Sequence, residues 1–203
     1  MPALCKAAYD RAHARFGEAF CLIFDTETSS FGGCVLELGW ILAAEDGTEL
    51  ASYRSLWRLP PGERIHSKAK KLHGISLAKL RDQGVEPKPE LAEFMALVAA
   101  ALAADKRVVA HNAAFDVRHL NHTANVRKLP AALRSASMLC TMHSATKHCG
   151  LRKRGNKALK APRNDELYEF LFKGKPTGQL HSALADCRVT LASFIEGHSR
   201  KWW

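Results

Sequence analysis

Two carboxylates, Asp25 and Glu27, lie two residues apart in the stretch FDTET, directly after the apolar run AFCLIF. In an extended strand residues i and i+2 project from one face, so both acids point the same way. Like charges that close repel each other unless something positive sits between them. Two further acids fall at the starts of helical segments, Asp116 in HNAAFD and Asp186 in HSALAD. Taken singly, each would only complement a helix dipole. Taken together, four acids at strand ends and helix starts can converge at one end of a sheet. Hard divalent cations such as Mg²⁺ or Mn²⁺ take oxygen ligands, and a few carboxylates plus phosphate oxygens are their usual cage. Asp25 and Glu27 are tolerated side by side if metal ions neutralise them.

The elements that must hold these acids read as a mixed α/β chain. A helix is predicted over about residues 2–14, followed by AFCLIF as a buried strand ending at Asp25. CVLELGWILAAEDGTELASYRSLWRL reads as two strands joined at EDGT, because Asp-Gly between apolar runs signals a hairpin. The Pro- and Gly-rich residues 60–88 read as a surface connection with short helical pieces. A long helix is predicted from about 89 to 104, then RVVAHN as a short strand and AAFDVRHLNHTANVRKL as a helix ended by Pro130. SASMLC reads as a short strand or its remnant, and the basic residues 150–164 as a loop. DELYEFLF and SALADCRVTLASFIEG read as helices, the second capped by Ser182. A meander followed by strand, helix and strand implies a mixed sheet with helices packed on it.

With 203 residues the chain suits one domain with a real core. Its 30 Lys and Arg against 20 Asp and Glu give a formal charge of +10, which favours a polyanionic partner through counterion release. The longest apolar stretches are too short or too interrupted to span a bilayer. The opening MPALCKAAYDRAHARF carries charges where a signal peptide would be apolar, so the protein is expected to be intracellular, without membrane contact. Six cysteines lack C-x-x-C spacing and are expected as reduced, mostly buried thiols. Cys140, His143, His148 and Cys149 match no usual zinc spacing.

FDTET, HNAAFD and HSALAD, in that order, resemble the three motifs of the DEDDh, or DnaQ-like, 3′-to-5′ exonucleases, relatives of polymerase proofreading domains. The resemblance runs from about residue 20 to 197. The His type of this family has histidine five residues before its final Asp, which His181 and Asp186 match; the Tyr type has tyrosine four before it, where this chain has Ser182. The resemblance implies an α/β fold like ribonuclease H, a five-stranded mixed sheet of order 3-2-1-4-5 flanked by helices. The site then falls beside the carboxyl ends of strands 1 and 4, where strand order reverses. It also implies a single exonuclease domain over 1–203, with 1–18 as an N-terminal helical extension and 19–198 as the catalytic core.

The resemblance further implies roles. Asp25 would bridge two divalent metal ions, Mg²⁺ or Mn²⁺; Glu27 and Asp186 would hold the first, and Asp116 the second. His181 would be general base on the attacking water, since imidazole can take a proton near neutral pH. Lying just before the Ser182 cap, it could swing in when substrate binds. Hydrolysis would release nucleoside 5′-monophosphates from a 3′ end. His73, in KKLHGIS, would contact the terminal nucleotide; Thr28 would meet its sugar, and Phe115 would stack on its base. His111 and Asn112 read as structural, bonding the turn into the next helix. The basic loop LRKRGNKALK either guides a nucleic-acid backbone or is merely solvated. The expected partner is nucleic acid with a free 3′ end, mainly single-stranded DNA, with RNA as the alternative substrate and a polymerase or repair assembly as a possible host. A non-catalytic binding module would usually have lost a carboxylate or the His, and none is lost. The closing RKWW either folds back on the core or forms a patch for a partner.

Overall fold

Alternate residues of the first strand, β1 (Cys21–Thr28), enter two different cores. Cys21 and Ile23 pack with Cys187, Leu191 and Phe194 of the helix α8 (Ala183–Ser199). Leu22 and Phe24 pack on the opposite face with Tyr9 of α1 (Ala3–Ala14), Phe94 of α4 (Pro87–Ala103) and Leu120 of α5 (Ala113–Val126). A strand covered on both faces reads as an unbroken apolar run, which is why CLIF shows no alternation. In this computed structural model, residues 2–130, 132–155, 157–177 and 181–203 are described.

The sheet has five strands in the order β3-β2-β1-β4-β5. β2 (Val35–Ala43) and β3 (Glu49–Leu56) form the antiparallel meander, turning at Gly47 with φ 87°. β4 (Arg107–Ala110) and β5 (Leu139–Cys140) run parallel to β1. The connection after β3 carries the short helices α2 (Ser67–His73) and α3 (Leu77–Gln83); α6 (Thr141–Cys149) and α7 (Asn164–Phe172) follow β5 and pack beside α8. Among the described residues, no helix is long and apolar enough to cross a membrane. All six cysteines are free, and only Cys140 is not buried.

Several elements depart from the sequence expectation. β1 does not end at Asp25 but pairs onward, Asp25 opposite Gly39 and Glu27 opposite Glu37, with a register shift only after Glu27. An acid is no strand breaker when its face opens into a cleft. α5 stops at Val126, short of Pro130, because Lys128 turns to φ 56° and Leu129 N–H bonds back to the Ala124 carbonyl. The basic loop is pinched by an antiparallel bridge between Arg152 and Leu159. Of the two fates open to RKWW, the tryptophans fold back. Trp203 stacks on Phe194 (centroids 6.0 Å, planes 6° apart) and Trp202 on His148 (4.5 Å, 3°). α1 buries Cys5, Ala8, Tyr9 and Ala12 in the same core as β1 and β2.

Candidate active site

The start of α8 is lowered onto the sheet at a glycine. A Cβ on Gly39 would lie 2.5 Å from Ala183 C and Leu184 N, so no larger residue lets the first turn come this close. Gly39 is the cross-strand partner of Asp25, and one row further along the same face Glu37 is the partner of Glu27. The buried Glu37 carboxylate accepts from the Ala183 N–H at 2.7 Å and from Arg54 Nη1 at 2.9 Å. Ser182 is the N-cap by position but makes no side-chain capping bond; Glu37, from another element, satisfies the helix amide in its place. Asp186 follows in the first turns of this helix, and its Oδ2 accepts from the His181 N–H at 3.0 Å.

Asp116 arrives from the other side, in the first turn of α5. The chain enters that helix through Asn112 at φ 73°, a left-handed conformation asparagine tolerates. Asp116 is 2% exposed, and its Oδ1 accepts from both Thr26 N (3.0 Å) and Thr26 Oγ1 (2.7 Å). One oxygen is therefore held by the strand that carries Asp25 and Glu27, leaving the other for a ligand. Neither His111 nor Asn112 uses its side chain to cap this helix. Asn112 acts through its backbone, its carbonyl accepting from Phe115 N–H. His111 Nδ1 pairs with Thr141 Oγ1 (3.0 Å), and Nε2 with the Pro162 carbonyl (3.1 Å). Burial pushes the His111 imidazole down to about 4, so it stays neutral and ties β4 to α6 and to the end of the basic loop.

Asp25, Glu27, Asp186 and His181 line one cleft of about 570 Å³, together with Thr26, Thr28, His73 and Phe115; Asp116 is buried and bonded to the lining residue Thr26. Ligand atoms of Glu27, His181 and Asp186 all fall within 4.8 Å of one another. His181 is exposed, at φ 67°, outside the helix, as its place before Ser182 implies. His73 is buried rather than a free surface side chain. Its Nδ1 accepts from Ile75 N–H at 3.0 Å, so Nε2 carries the proton and faces the Thr28 carbonyl at 3.3 Å. Burial lowers its basicity, and only the ring face remains for a ligand. Phe115 is half-buried, its ring 4.3 Å from that of His119 and 6.1 Å from Phe31, which is 77% exposed.

The carboxylates resist charging as they stand. Burial first, then the neighbouring acids Asp116, Asp186, Glu27 and Glu37, drive the Asp25 carboxyl well above its ordinary range. Burial, followed by Asp186 and Glu37, lifts Glu27 to about 8. Asp116 is lifted by burial to about 7 against the pull of its two Thr26 donors, and Asp186 is raised by burial against the pull of His181. Ionising all four together calls for added positive charge at the cleft. That donor set, all carboxylate oxygens with one imidazole, fits hard divalent ions.

Thr26, Glu37 and Gly39 are the contributors that motif reading missed. Thr26 is visible only as the residue between two motif acids, and Glu37 and Gly39 only as a break in the apolar run VLELGWI.

A ribonuclease H-like sheet with four acids gathered where its strand order reverses defines a nuclease, a hydrolase of phosphodiester bonds. The chain belongs to the exonuclease family, whose profile, described as Exonuclease, matches residues 22–194, and it is a DnaQ-like 3′-to-5′ exonuclease. Among solved structures, exonuclease X in complex with 5′ overhanging duplex DNA is 25% identical over 90% of this chain and 93% of that one, with a TM-score of 0.56. Two more distant structures share the fold. Pop2p of S. pombe in its Mg²⁺- and Mn²⁺-bound form is 12% identical over 97% of this chain and 89% of its own, TM-score 0.70. Exonuclease I of E. coli in complex with a dA16 oligonucleotide is 15% identical, TM-score 0.67; 89% of this chain aligns with only 41% of that one. No curated protein matches the chain in sequence.

Proposed function

We propose that the protein is a divalent-metal-dependent exonuclease of the His type that removes nucleotides from the 3′ end of DNA, single-stranded ends above all. The observation that carries this reading is the convergence of Asp25, Glu27 and Asp186 with His181 in one cleft, over an Asp116 held by Thr26. The DNA complexes of exonuclease X and exonuclease I support DNA as substrate, the dA16 complex of exonuclease I supports single-stranded ends, and the metals bound to Pop2p support the choice of cofactor.

In this reading Asp25, Glu27, Asp116 and Asp186 would hold two Mg²⁺ or Mn²⁺ ions, which when bound would screen the carboxylates and supply Lewis-acid stabilisation of the entering and leaving oxygens of an in-line displacement. His181 takes the proton of the attacking water on a ring nitrogen. The new P–O bond forms as the bond to the penultimate 3′ oxygen breaks, so a nucleoside 5′-monophosphate departs, and the 3′ oxygen of the shortened strand takes a proton from solvent water to become a hydroxyl. Thr28 receives the terminal sugar, Phe115 supports its base, and the His73 ring walls the same side while its Nε2–H fixes the Thr28 carbonyl. The whole chain acts as one exonuclease domain.

The test is degradation of 5′-labelled DNA and RNA of one sequence with Mg²⁺, Mn²⁺ or EDTA. A metal-dependent ladder shrinking from the 3′ end, faster on DNA, is expected, and Asp25→Ala and Asp186→Ala should abolish it while circular dichroism stays unchanged. Retained activity in either variant, or cleavage in EDTA, would overturn the assignment.

A further inference from the structure

Glu37 is a fifth carboxylate beside the four, buried on β2, and each of its oxygens already accepts a hydrogen bond. One accepts the Ala183 N–H at 2.7 Å, the other Arg54 Nη1 at 2.9 Å. It stands directly across from Glu27 on β2, on the row next to Asp25 and Gly39. A carboxylate beside the four whose oxygens are both engaged by other partners needs another reason to be there. The helix it grips supplies one: α8 presents Asp186, and the residue just ahead of its cap is His181, whose own N–H binds Asp186 Oδ2 at 3.0 Å.

We infer that Glu37 is a positioning residue for hydrolysis: by clamping the first amide of α8 to β2, it sets Asp186 and His181 against Asp25 and Glu27. Three contacts make the clamp. Glu37 holds the amide, the bare Gly39 backbone lets the turn descend to the sheet, and Cys187 Sγ lies 3.3 Å from the Gly39 carbonyl one turn further on. Arg54 and the partial positive charge of the helix N-terminus offset part of the charge of Glu37, the rest of which adds to the repulsion among the acids. Without the carboxylate, Ala183 N–H has no acceptor within its own helix, and the first turn is held by backbone packing alone. Small errors of placement at a reacting centre cost rate far more than affinity.

The inference rests on the exonuclease reading for its kinetic half and stands on its own for its structural half. Glu37→Ala and Glu37→Gln are compared in the full chain, by turnover on single-stranded DNA and by amide hydrogen exchange without metal. Glu37→Ala should lower kcat about 10- to 100-fold with KM within about threefold, because positioning and not binding is lost. Exchange should quicken over 181–187 while the distal half of α8 keeps its protection. Glu37→Gln keeps an acceptor for Ala183 and should fall between the two. Gly39→Ala leaves Glu37 in place but lifts the helix start, and should repeat the kcat loss. Wild-type turnover in Glu37→Ala would overturn the proposal. So would faster exchange in every element with kcat falling only as the folded fraction does, since that is a general loss of structure. If the wild-type protein cleaves nothing, the exonuclease reading fails, and the exchange pattern at 181–187 alone decides whether the clamp exists.

Discussion

Thr26 gives both its backbone N–H and its hydroxyl to a single oxygen of Asp116, at 3.0 and 2.7 Å, across 90 positions of sequence. Thr26 itself lines the cleft, so the residue between Asp25 and Glu27 is the one that holds the acid from α5 in place.

Thr26→Val keeps the shape and removes that hydroxyl. A hydrogen bond to a charged group is worth about 1.5–3 kcal/mol. The variant should fold, and its kcat/KM on single-stranded DNA should fall by roughly tenfold or more, the equivalent of about 1.4 kcal/mol. Unchanged kcat/KM in steady-state assays would show that the backbone N–H alone orients Asp116.

His181→Ala should lower kcat about 10²- to 10⁴-fold, the usual contribution of a general base, with much less change in KM. Stopped assays over a range of substrate concentrations separate the two. An unchanged turnover number would remove His181 from the chemistry and leave it as a partner of Asp186.

Glu90 provides a pH signature remote from the cleft. It lies fully buried on α4, its Oε2 accepting from Ser55 Oγ at 2.5 Å and Trp57 Nε1 at 3.0 Å. Burial raises its carboxyl above the ordinary value, with those donors pulling part of the way back. Between the ordinary and the raised value the folded chain keeps a proton that the unfolded chain has lost. Stability from this group therefore falls as pH rises through that window and is not regained above it. Glu90→Gln should raise Tm at pH 8 by about 2–4 °C. The gain should shrink toward pH 5, as read by thermal melts of both proteins.

Gly197 sits where a Cβ would lie 2.1 Å from Trp203 Cζ2. Gly197→Ala should expel the indole from its stack on Phe194 at a cost of about 1–3 kcal/mol. Lower Tm and red-shifted tryptophan emission are expected, with kcat unaltered because the change lies beyond the reacting end of α8. A native emission spectrum would mean that the C-terminal turn yields instead.

Asp25, Glu27, Asp116 and Asp186 were legible in the sequence because each belongs to a short segment whose spacing repeats a local geometry, alternate positions of a strand or the first turn of a helix; His181 was legible only through the family resemblance of its motif. The mixed sheet was legible for the same reason as the acids, from the EDGT hairpin and the apolar runs. What acts between segments was not. Ser182 looks like a cap in its own segment, and nothing local reveals that Glu37 takes the amide. Thr26 is an ordinary strand residue until α5 lies behind it, and Gly39 interrupts VLELGWI for a helix that lies far along the chain. The ends of elements erred likewise: Asp25 closes an apolar run but not the paired strand, and Lys128 ends α5 before Pro130 is reached.

The bond from Glu37 to Ala183 joins positions 146 residues apart. Contacts of such separation carry a loop-closure cost and form late when a chain folds. The meander of β1, β2 and β3 can pair soon after synthesis, but the cleft stays divided until α8 docks. A chain whose α8 has not docked has Asp186 and His181 out of reach of Asp25 and Glu27, so the onset of cleavage during refolding should time the docking of that one helix.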